Sequence, residues 1–125
     1  MIRVILVDDE PFLLQMLESS IAWEQYGMSV IGTFYNGKQA LEYIRENEVD
    51  AVICDIMMPV MDGLAATRAI RALKRPDAAV IPIVAMTANA FAEDERQALA
   101  CGMNAHVAKP IDVHALERVV AKLSQ

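Results

Sequence analysis

Several features that assign sequences to common protein classes are missing from this one. No apolar run approaches the ~18 residues that a membrane-spanning helix needs. The N-terminus has no basic stretch followed by an apolar run and a small-residue cleavage site, so no signal peptide is expected. Basic residues are in the minority, 11 against 17 acidic ones, and the net charge is −6. We therefore expect a cytoplasmic protein that neither enters a membrane nor binds the phosphate backbone of nucleic acids.

Cysteine is scarce, and nothing divides the chain into segments. Cys54 lies in an apolar run and Cys101 lies just before a glycine. This is not a metal-binding pattern, so both are expected as small buried thiols. There is no linker, low-complexity stretch or sequence repeat, and 125 residues suit one domain over residues 1–125. Hydrophobic residues make up 55% of the sequence, above the usual share, which favours a sheet buried on both faces.

Five stretches have the composition of buried strands. Continuous apolar runs, rather than alternating ones, are typical of strands that are covered on both faces. The expected strands are residues 2–7, 28–34, 51–54 and 80–86, with a shorter and weaker one at 104–108.

Helical stripes of apolar residues lie between these runs, so the order is strand then helix, five times. Strict alternation predicts an α/β fold with parallel strands, right-handed crossovers and helices on both faces. In such sheets the functional site lies beyond the carboxyl ends of the strands. The stripes are Leu13, Leu17 and Ile21, with Pro11 in the first turn; Ala40, Leu41 and Ile44; Ala66, Ile70 and Leu73, ending near Pro76; residues 92–101, with Gly102 as the cap; and Val113, Leu116, Val120 and Leu123.

Polar residues follow four of the predicted strands. A single acid after a strand is often only a helix cap, and Glu10 is assigned that role for the first helix. Four strands that deliver acids, a hydroxyl and a lysine to one edge of a sheet indicate a site instead. The residues are Asp8 and Asp9 with Glu10, then Asp55, Thr87 and Lys109.

The segments around these residues resemble the receiver domains of two-component systems. They read VDDE at 7–10, CDIMMPVMDG at 54–63, MTA at 86–88 and AKP at 108–110, and the resemblance covers the whole chain. It implies a flavodoxin-like (βα)5 three-layer sandwich with a five-stranded parallel sheet of order 2-1-3-4-5. It also implies a cis peptide bond between Lys109 and Pro110, against the general preference for trans.

The resemblance implies a phosphoacceptor and a Mg²⁺ site. Asp55 would accept a phosphoryl group from a sensor histidine kinase or a histidine phosphotransfer protein. Carboxylates that lie together repel one another, and a divalent cation relieves this. Asp9, Asp55 and the backbone carbonyl of Met57 would bind Mg²⁺ directly, and Asp8 would bind it through water. The domain would be no enzyme beyond promoting its own phosphorylation and dephosphorylation.

Other residues are assigned to the phosphoryl group and its lifetime. Lys109 would neutralise charge on the phosphoryl oxygens, and the Thr87 hydroxyl would hydrogen-bond one of them. Ala88 is small and leaves the approach open. Met57 and Asn89 lie two residues after Asp55 and Thr87, where they would control access of the attacking water.

The expected switch couples Thr87 to the residue three before Lys109. That position often holds Tyr or Phe in the family, and here it is His106. An inward movement of Thr87 on phosphorylation would favour an inward His106, although His106 as an exposed bystander is an equal alternative. The responding surface, for a homodimer or an effector, would be the fourth helix, fifth strand and fifth helix.

Three rival interpretations fit the sequence less well. Residues 32–38 read GTFYNGK, but Gln39 replaces the Ser or Thr that a phosphate-binding P-loop needs for Mg²⁺. An aspartate-nucleophile phosphohydrolase usually has a second acid two residues after the nucleophile, where Met57 stands. A receiver-like scaffold that is never phosphorylated would not need the intact acids, Thr87 and Lys109.

The sequence leaves the pathway open. The first half, to about Leu64, resembles receivers of transcription factors, whereas residues 81–91 resemble receivers of hybrid sensor kinases.

Overall fold

Five strands alternate with five helices in the computed structural model, which describes residues 1–87 and 92–123. The strands are β1 (Ile2–Val7), β2 (Met28–Phe34), β3 (Ala51–Asp55), β4 (Ile83–Thr87) and β5 (Ala105–Ala108). The helices are α1 (Pro11–Ser20), α2 (Gly37–Glu46), α3 (Gly63–Arg71), α4 (Ala92–Cys101) and α5 (Val113–Leu123), and a 3₁₀ turn covers Trp23–Tyr26. In the described part of the chain, no helix is long and apolar enough to cross a membrane.

The sheet is parallel throughout and has the strand order β2-β1-β3-β4-β5, which confirms the predicted fold. Its register aligns the carboxyl ends of the strands. Val7 pairs with Cys54, Asp55 pairs with Met86, and Thr87 pairs with Ala108. The residues that follow these ends therefore meet at one edge, as the alternating pattern predicts.

Both faces of the sheet are covered, which explains the unbroken apolar runs. Successive residues of each strand contribute to different clusters: Val4 and Leu6 pack with Leu17 of α1 and Leu116 of α5. Ile5 and Val7 pack on the other face, with the apolar residues of α2, α3 and α4. Cys54 and Cys101 are buried and unbridged, as expected.

The segment before β4 differs from the prediction. The third helix ends at Arg71, not near Pro76, and β4 begins at Ile83 rather than at residue 80. The Arg75 guanidinium donates a hydrogen bond to the Ile44 carbonyl, near the end of α2. It also forms a bidentate ion pair with Asp77. These contacts hold residues 72–80 as turns and leave the apolar Val80 exposed.

Two other local predictions, on Pro110 and Gly102, are confirmed. The Lys109–Pro110 peptide bond is cis, and Gly102 follows α4 with a positive φ of 109°, a conformation that suits glycine. Asn36 caps α2 by accepting a hydrogen bond from the Gln39 amide at 3.0 Å. Residues 32–38, which do not form a P-loop, therefore cover the end of β2 and the start of α2.

Candidate functional site

Asp8 is turned inward at the end of β1. Its backbone N–H donates to the Phe34 carbonyl at 3.0 Å, and its Oδ1 accepts from the Glu10 N–H at 2.8 Å. The side chain is fully buried. Asp9, the next residue, is exposed, so the acidic pair combines one buried carboxylate with one that faces solvent.

Asp55 is the last residue of β3 and is buried as well. Its Oδ1 accepts a hydrogen bond from the Met57 N–H at 3.1 Å. Beyond it, the Ile56 N–H donates to the Met86 carbonyl at 3.2 Å. The two backbone N–H groups that follow Asp55 are thus bonded before the chain enters the loop to α3.

Lys109 connects the acids of two strands. Its Nζ lies 3.0 Å from Asp55 Oδ2, 2.8 Å from Asp8 Oδ2 and 3.5 Å from Glu10 Oε1. Its backbone N–H donates to the Thr87 carbonyl at 2.7 Å. Burial lowers the pKa of Lys109, but the carboxylates of Asp8 and Asp55 outweigh burial and raise that pKa above its usual range.

The electrostatics of Asp8 indicate a site that is short of positive charge. Burial raises the pKa of the Asp8 carboxyl above its ordinary value, and the nearby Asp55 charge adds to the rise, while Lys109 and the Glu10 N–H oppose it. Asp8 Oδ2 lies 2.8 Å from the Lys109 ammonium, but that ammonium is shared with Asp55 and Glu10. One positive charge among three carboxylates leaves the site with an excess of negative charge, which favours a further cation here.

Thr87 ends β4 with its side chain 1% exposed. Its hydroxyl has no hydrogen-bond partner within the part of the chain that is described. Buried hydroxyls are normally satisfied, so the Thr87 hydroxyl is a candidate donor at this strand end.

Three neighbouring acids could hold a metal ion. One carboxylate oxygen from each of Asp8, Asp9 and Glu10 lies within 4.8 Å of the others. Oxygen donors of this kind suit a hard cation such as Mg²⁺. The cluster includes Glu10, whose expected role was the cap of the first helix.

The prediction that Glu10 caps α1 is wrong for its side chain. Its backbone stands at the N-cap position, but its side chain makes no capping hydrogen bond. The carboxylate instead reaches the ammonium of Lys109, which lies 99 positions further along the chain. A full positive charge attracts it more strongly than the partial charge of a helix end.

Met57 and His106 are the other predicted site residues that the structure describes. Met57 follows the site with its side chain 68% exposed. His106 is half-buried and its Nε2 lies 3.8 Å from Glu95 Oε2 of α4. It pairs with Ala85 in the sheet, two residues before Thr87. Ala88 and Asn89 lie outside the described residues.

Two glycines, Gly37 and Gly63, lie against the loop that follows Asp55. A Cβ on Gly63 would lie 2.3 Å from the Asp55 carbonyl oxygen, and one on Gly37 would lie 2.7 Å from the Met61 carbonyl oxygen. Both positions need the space rather than an unusual φ. The sequence around each glycine does not reveal these close approaches, because each one joins segments that are apart in the chain.

Comparison with known proteins agrees with this geometry. A family model for the response regulator receiver domain matches residues 4–121. The sensor protein GacS of Pseudomonas syringae pv. syringae is 37% identical over 121 residues, which are 96% of this chain and 13% of that protein. The sensor histidine kinase RcsC of Salmonella typhi is 33% identical over 118 residues, 94% of this chain and 12% of that protein. This chain thus spans about an eighth of the length of these relatives.

Solved structures are similar over nearly the whole chain. The receiver domain of the sensor histidine kinase PA1611 from Pseudomonas aeruginosa PAO1, which has a magnesium ion coordinated in its active site cleft, has a TM-score of 0.82. It is 33% identical, and the match covers 98% of this chain and 96% of that one. The chemotaxis response regulator CheY4 of Vibrio cholerae has a TM-score of 0.86 at 26% identity, over 98% of both chains. The chain therefore belongs to the response regulator receiver domains, the phosphoacceptor modules of two-component signal transduction.

Proposed function

We propose that Asp55 is the phosphoacceptor and that residues 1–125 form one receiver domain. The observation that carries the proposal is the arrangement around its carboxylate. Asp55 is buried beside the Lys109 ammonium, at 3.0 Å, and the Thr87 hydroxyl at the end of the neighbouring strand β4 has no partner among the described residues. A buried acid next to a cation and a free donor is the environment that a transferred phosphoryl group needs.

The chemical step is transfer of a phosphoryl group between two side chains. A carboxylate oxygen of Asp55 attacks phosphorus, and a P–O bond forms as the bond between phosphorus and a histidine nitrogen of the donor breaks. The imidazole leaves with the electron pair. The Met57 N–H, which donates to Asp55 Oδ1 at 3.1 Å, holds the carboxylate in one orientation for this attack.

Lys109 and Thr87 act on the phosphoryl oxygens. Lys109 carries its charge at the pH of a cell, because its pKa is raised, and it already lies beside Asp55. The Thr87 hydroxyl donates a hydrogen bond once an acceptor oxygen arrives. Both interactions are stronger than in water because the strand ends are buried.

The residues present fit Mg²⁺. Asp9, Asp55 and the Met57 carbonyl would hold it directly and Asp8 through water, and its charge would offset the carboxylates and the phosphoryl oxygens. The fit rests on the single Lys109 ammonium that Asp8, Asp55 and Glu10 share and on donors that are all oxygen. Glu10 is available to this site in addition.

The donor is a sensor histidine kinase or a histidine phosphotransfer protein that docks around the carboxyl ends of the strands. Large apolar side chains are exposed there, in the segments that follow β1, β2 and β3: Phe12, Tyr35, Met57 and Val60. Exposed apolar side chains around a polar site suit a protein partner. The sensor kinases GacS and RcsC among the relatives support a place in a phosphorelay. The net charge of −6 disfavours direct binding of this domain to the phosphates of nucleic acids.

The output is a change in the surface formed by α4, β5 and α5, which would bind an effector or a second copy of the chain. Phosphorylation draws Thr87 inward, and His106 on β5 follows. His106 lies next to Glu95 of α4, so its movement would reach that helix. The domain acts as a switch and not as an enzyme with a separate substrate, and the phosphohydrolase and scaffold alternatives are not favoured.

A phosphotransfer profile tests the function as a whole. Radiolabelled histidine phosphotransfer proteins and kinases of the same organism are mixed in turn with the chain and Mg²⁺. We expect rapid transfer of label from a small subset of donors, and none after addition of EDTA. Absence of transfer from every donor, together with no labelling by acetyl phosphate, would contradict the proposal.

A further inference from the structure

The loop between Asp55 and α3 contains a strained turn. Val60 has a φ of +67°, a conformation that is a true outlier for a β-branched residue. The Met61 N–H donates to the Pro59 carbonyl at 2.7 Å and closes a three-residue turn around Val60. A turn of this size with a positive φ at its centre is rare and strained.

The side chain of Val60 does not explain the strain. It is 78% exposed, so little packing offsets the unfavourable backbone. Strain of this kind persists only where the surrounding structure determines the conformation. The cause must lie in what holds the backbone on either side of Val60.

The amino end of α2 holds that backbone. The N–H of Gly37, the first residue of α2, donates to the Met61 carbonyl at 2.9 Å. The first N–H groups of a helix have no partner within the helix, so this donor is available to the loop. The loop is also closed on its other side, where the Gly63 N–H donates to the Ile56 carbonyl at 3.2 Å.

Only glycine allows this approach. A Cβ on Gly37 would lie 2.7 Å from the Met61 oxygen, 2.8 Å from the Ala66 Cβ and 3.1 Å from the Asp62 oxygen. Two of these three atoms belong to the backbone of the loop and cannot move away as a flexible side chain could. A methyl group at residue 37 would therefore push the loop away from α2.

The same loop contacts the phosphoacceptor. The Met57 N–H donates to Asp55 Oδ1 at 3.1 Å, and the Met57 carbonyl is one of the proposed Mg²⁺ ligands. We propose that Gly37 is a positioning residue for this site: it fixes the strained loop and thereby the Met57 backbone against Asp55. This inference rests on the proposed function, but Gly37 itself does not contact Asp55.

The test compares Gly37→Ala with Asn36→Ala. The control removes the side-chain cap of α2 on the Gln39 N–H and so weakens the same helix end, but it leaves the contact between Gly37 and Met61. Mg²⁺ affinity is measured by titration monitored by amide NMR, and stability is measured separately by urea unfolding without Mg²⁺. We expect Gly37→Ala to bind Mg²⁺ on the order of tenfold more weakly, since small misplacements of site groups have large effects. Asn36→Ala should bind Mg²⁺ like the wild type even though it is less stable.

A second variant tests the link to strain. Val60→Asn places at residue 60 a side chain that tolerates positive φ, so the loop needs less restraint. Added to Gly37→Ala, it should restore much of the Mg²⁺ affinity. If the double variant binds Mg²⁺ as weakly as Gly37→Ala does, Gly37 does not act by holding the strained turn at Val60, and the inference is wrong.

The wild type provides a measurement that does not depend on a variant folding. During the Mg²⁺ titration the amide resonances of Gly37 and Met57 should move with one dissociation constant. A Gly37 resonance that stays fixed while that of Met57 moves would overturn the inference. A wild type that neither binds Mg²⁺ nor is labelled by acetyl phosphate would instead refute the proposed function.

Discussion

The ammonium of Lys109 lies 3.0 Å from Oδ2 of Asp55, and the same ammonium is 2.8 Å from Oδ2 of Asp8. One cation therefore serves two buried acids that come from different strands. Removal of such a partner leaves buried charge uncompensated, which destabilises a protein far more than the loss of an exposed ion pair does.

We predict that Lys109→Met lowers the free energy of unfolding by about 3 kcal/mol without Mg²⁺, because Asp8 and Asp55 lose their shared cation. Saturating Mg²⁺ should restore part of the loss, since it replaces the missing positive charge. Urea unfolding with and without Mg²⁺ measures both effects. Lys38→Met, at an exposed position of α2, is the control and should change little. Equal losses in the two variants would refute the charge argument.

Thr87→Val should separate stability from signalling. Valine keeps the shape of threonine and removes a hydroxyl that has no partner among the described residues, so we expect the unphosphorylated domain to gain about 1 kcal/mol. The variant also lacks a donor for the phosphoryl oxygen. Its amide shifts over α4, β5 and α5 on addition of beryllofluoride and Mg²⁺ should therefore shrink.

Thr67→Val is the matched control for that variant. Thr67 is equally buried, but its Oγ1 donates to the Gly63 carbonyl at 2.7 Å. Its replacement should lower stability and leave the response in place. If Thr87→Val is destabilised to the same degree and still responds fully, the Thr87 hydroxyl is neither unsatisfied nor coupled to the site.

The lifetime of the phosphorylated form should depend on Met57. Its bulky side chain is exposed beside Asp55 and cannot orient a water molecule by a strong hydrogen bond, so we expect slow self-hydrolysis. Met57→Ala opens the approach and should lose phosphate several-fold faster. Met57→Leu keeps the bulk and should behave like the wild type. Loss of phosphate from purified phosphoprotein measures the rates, and equal rates in all three proteins would argue against a gate.

His106 should couple β5 to α4. Its Nε2 lies 3.8 Å from Glu95 Oε2 of α4, so a movement of the imidazole would reach that helix. We expect the beryllofluoride-induced amide shifts of α4 to shrink in His106→Ala. His114→Ala, which changes the exposed histidine of α5, is the control and should respond like the wild type. If all three proteins respond alike, His106 has no part in the switch.

The sequence predicts the elements whose boundaries are set locally. β1 and β2 are found at their predicted bounds, because each is an apolar run that ends at charged or turn-forming residues. The convergence of Asp8, Asp55, Thr87 and Lys109 follows from parallel strand order alone. Their assigned roles came from the resemblance to receivers and stay predictions.

The features that the sequence did not predict correctly depend on contacts between distant parts of the chain. Val80 looks like the start of a strand, but the ion pair of Arg75 with Asp77 and its contact with α2 hold the preceding segment as turns. The side chain of Glu10 leaves the helix end for Lys109. The need for glycine at residue 37 comes from Met61 and Ala66, more than 20 positions away. No local pattern contains such contacts.

Identification of the modified residue tests the central claim most directly. The wild type and Asp55→Asn are treated with acetyl phosphate, with Mg²⁺ and with EDTA, and examined by mass spectrometry of the intact protein. We predict one added phosphoryl group on the wild type only with Mg²⁺, and none on Asp55→Asn under either condition. Labelling of Asp55→Asn to the same extent as the wild type would contradict the account.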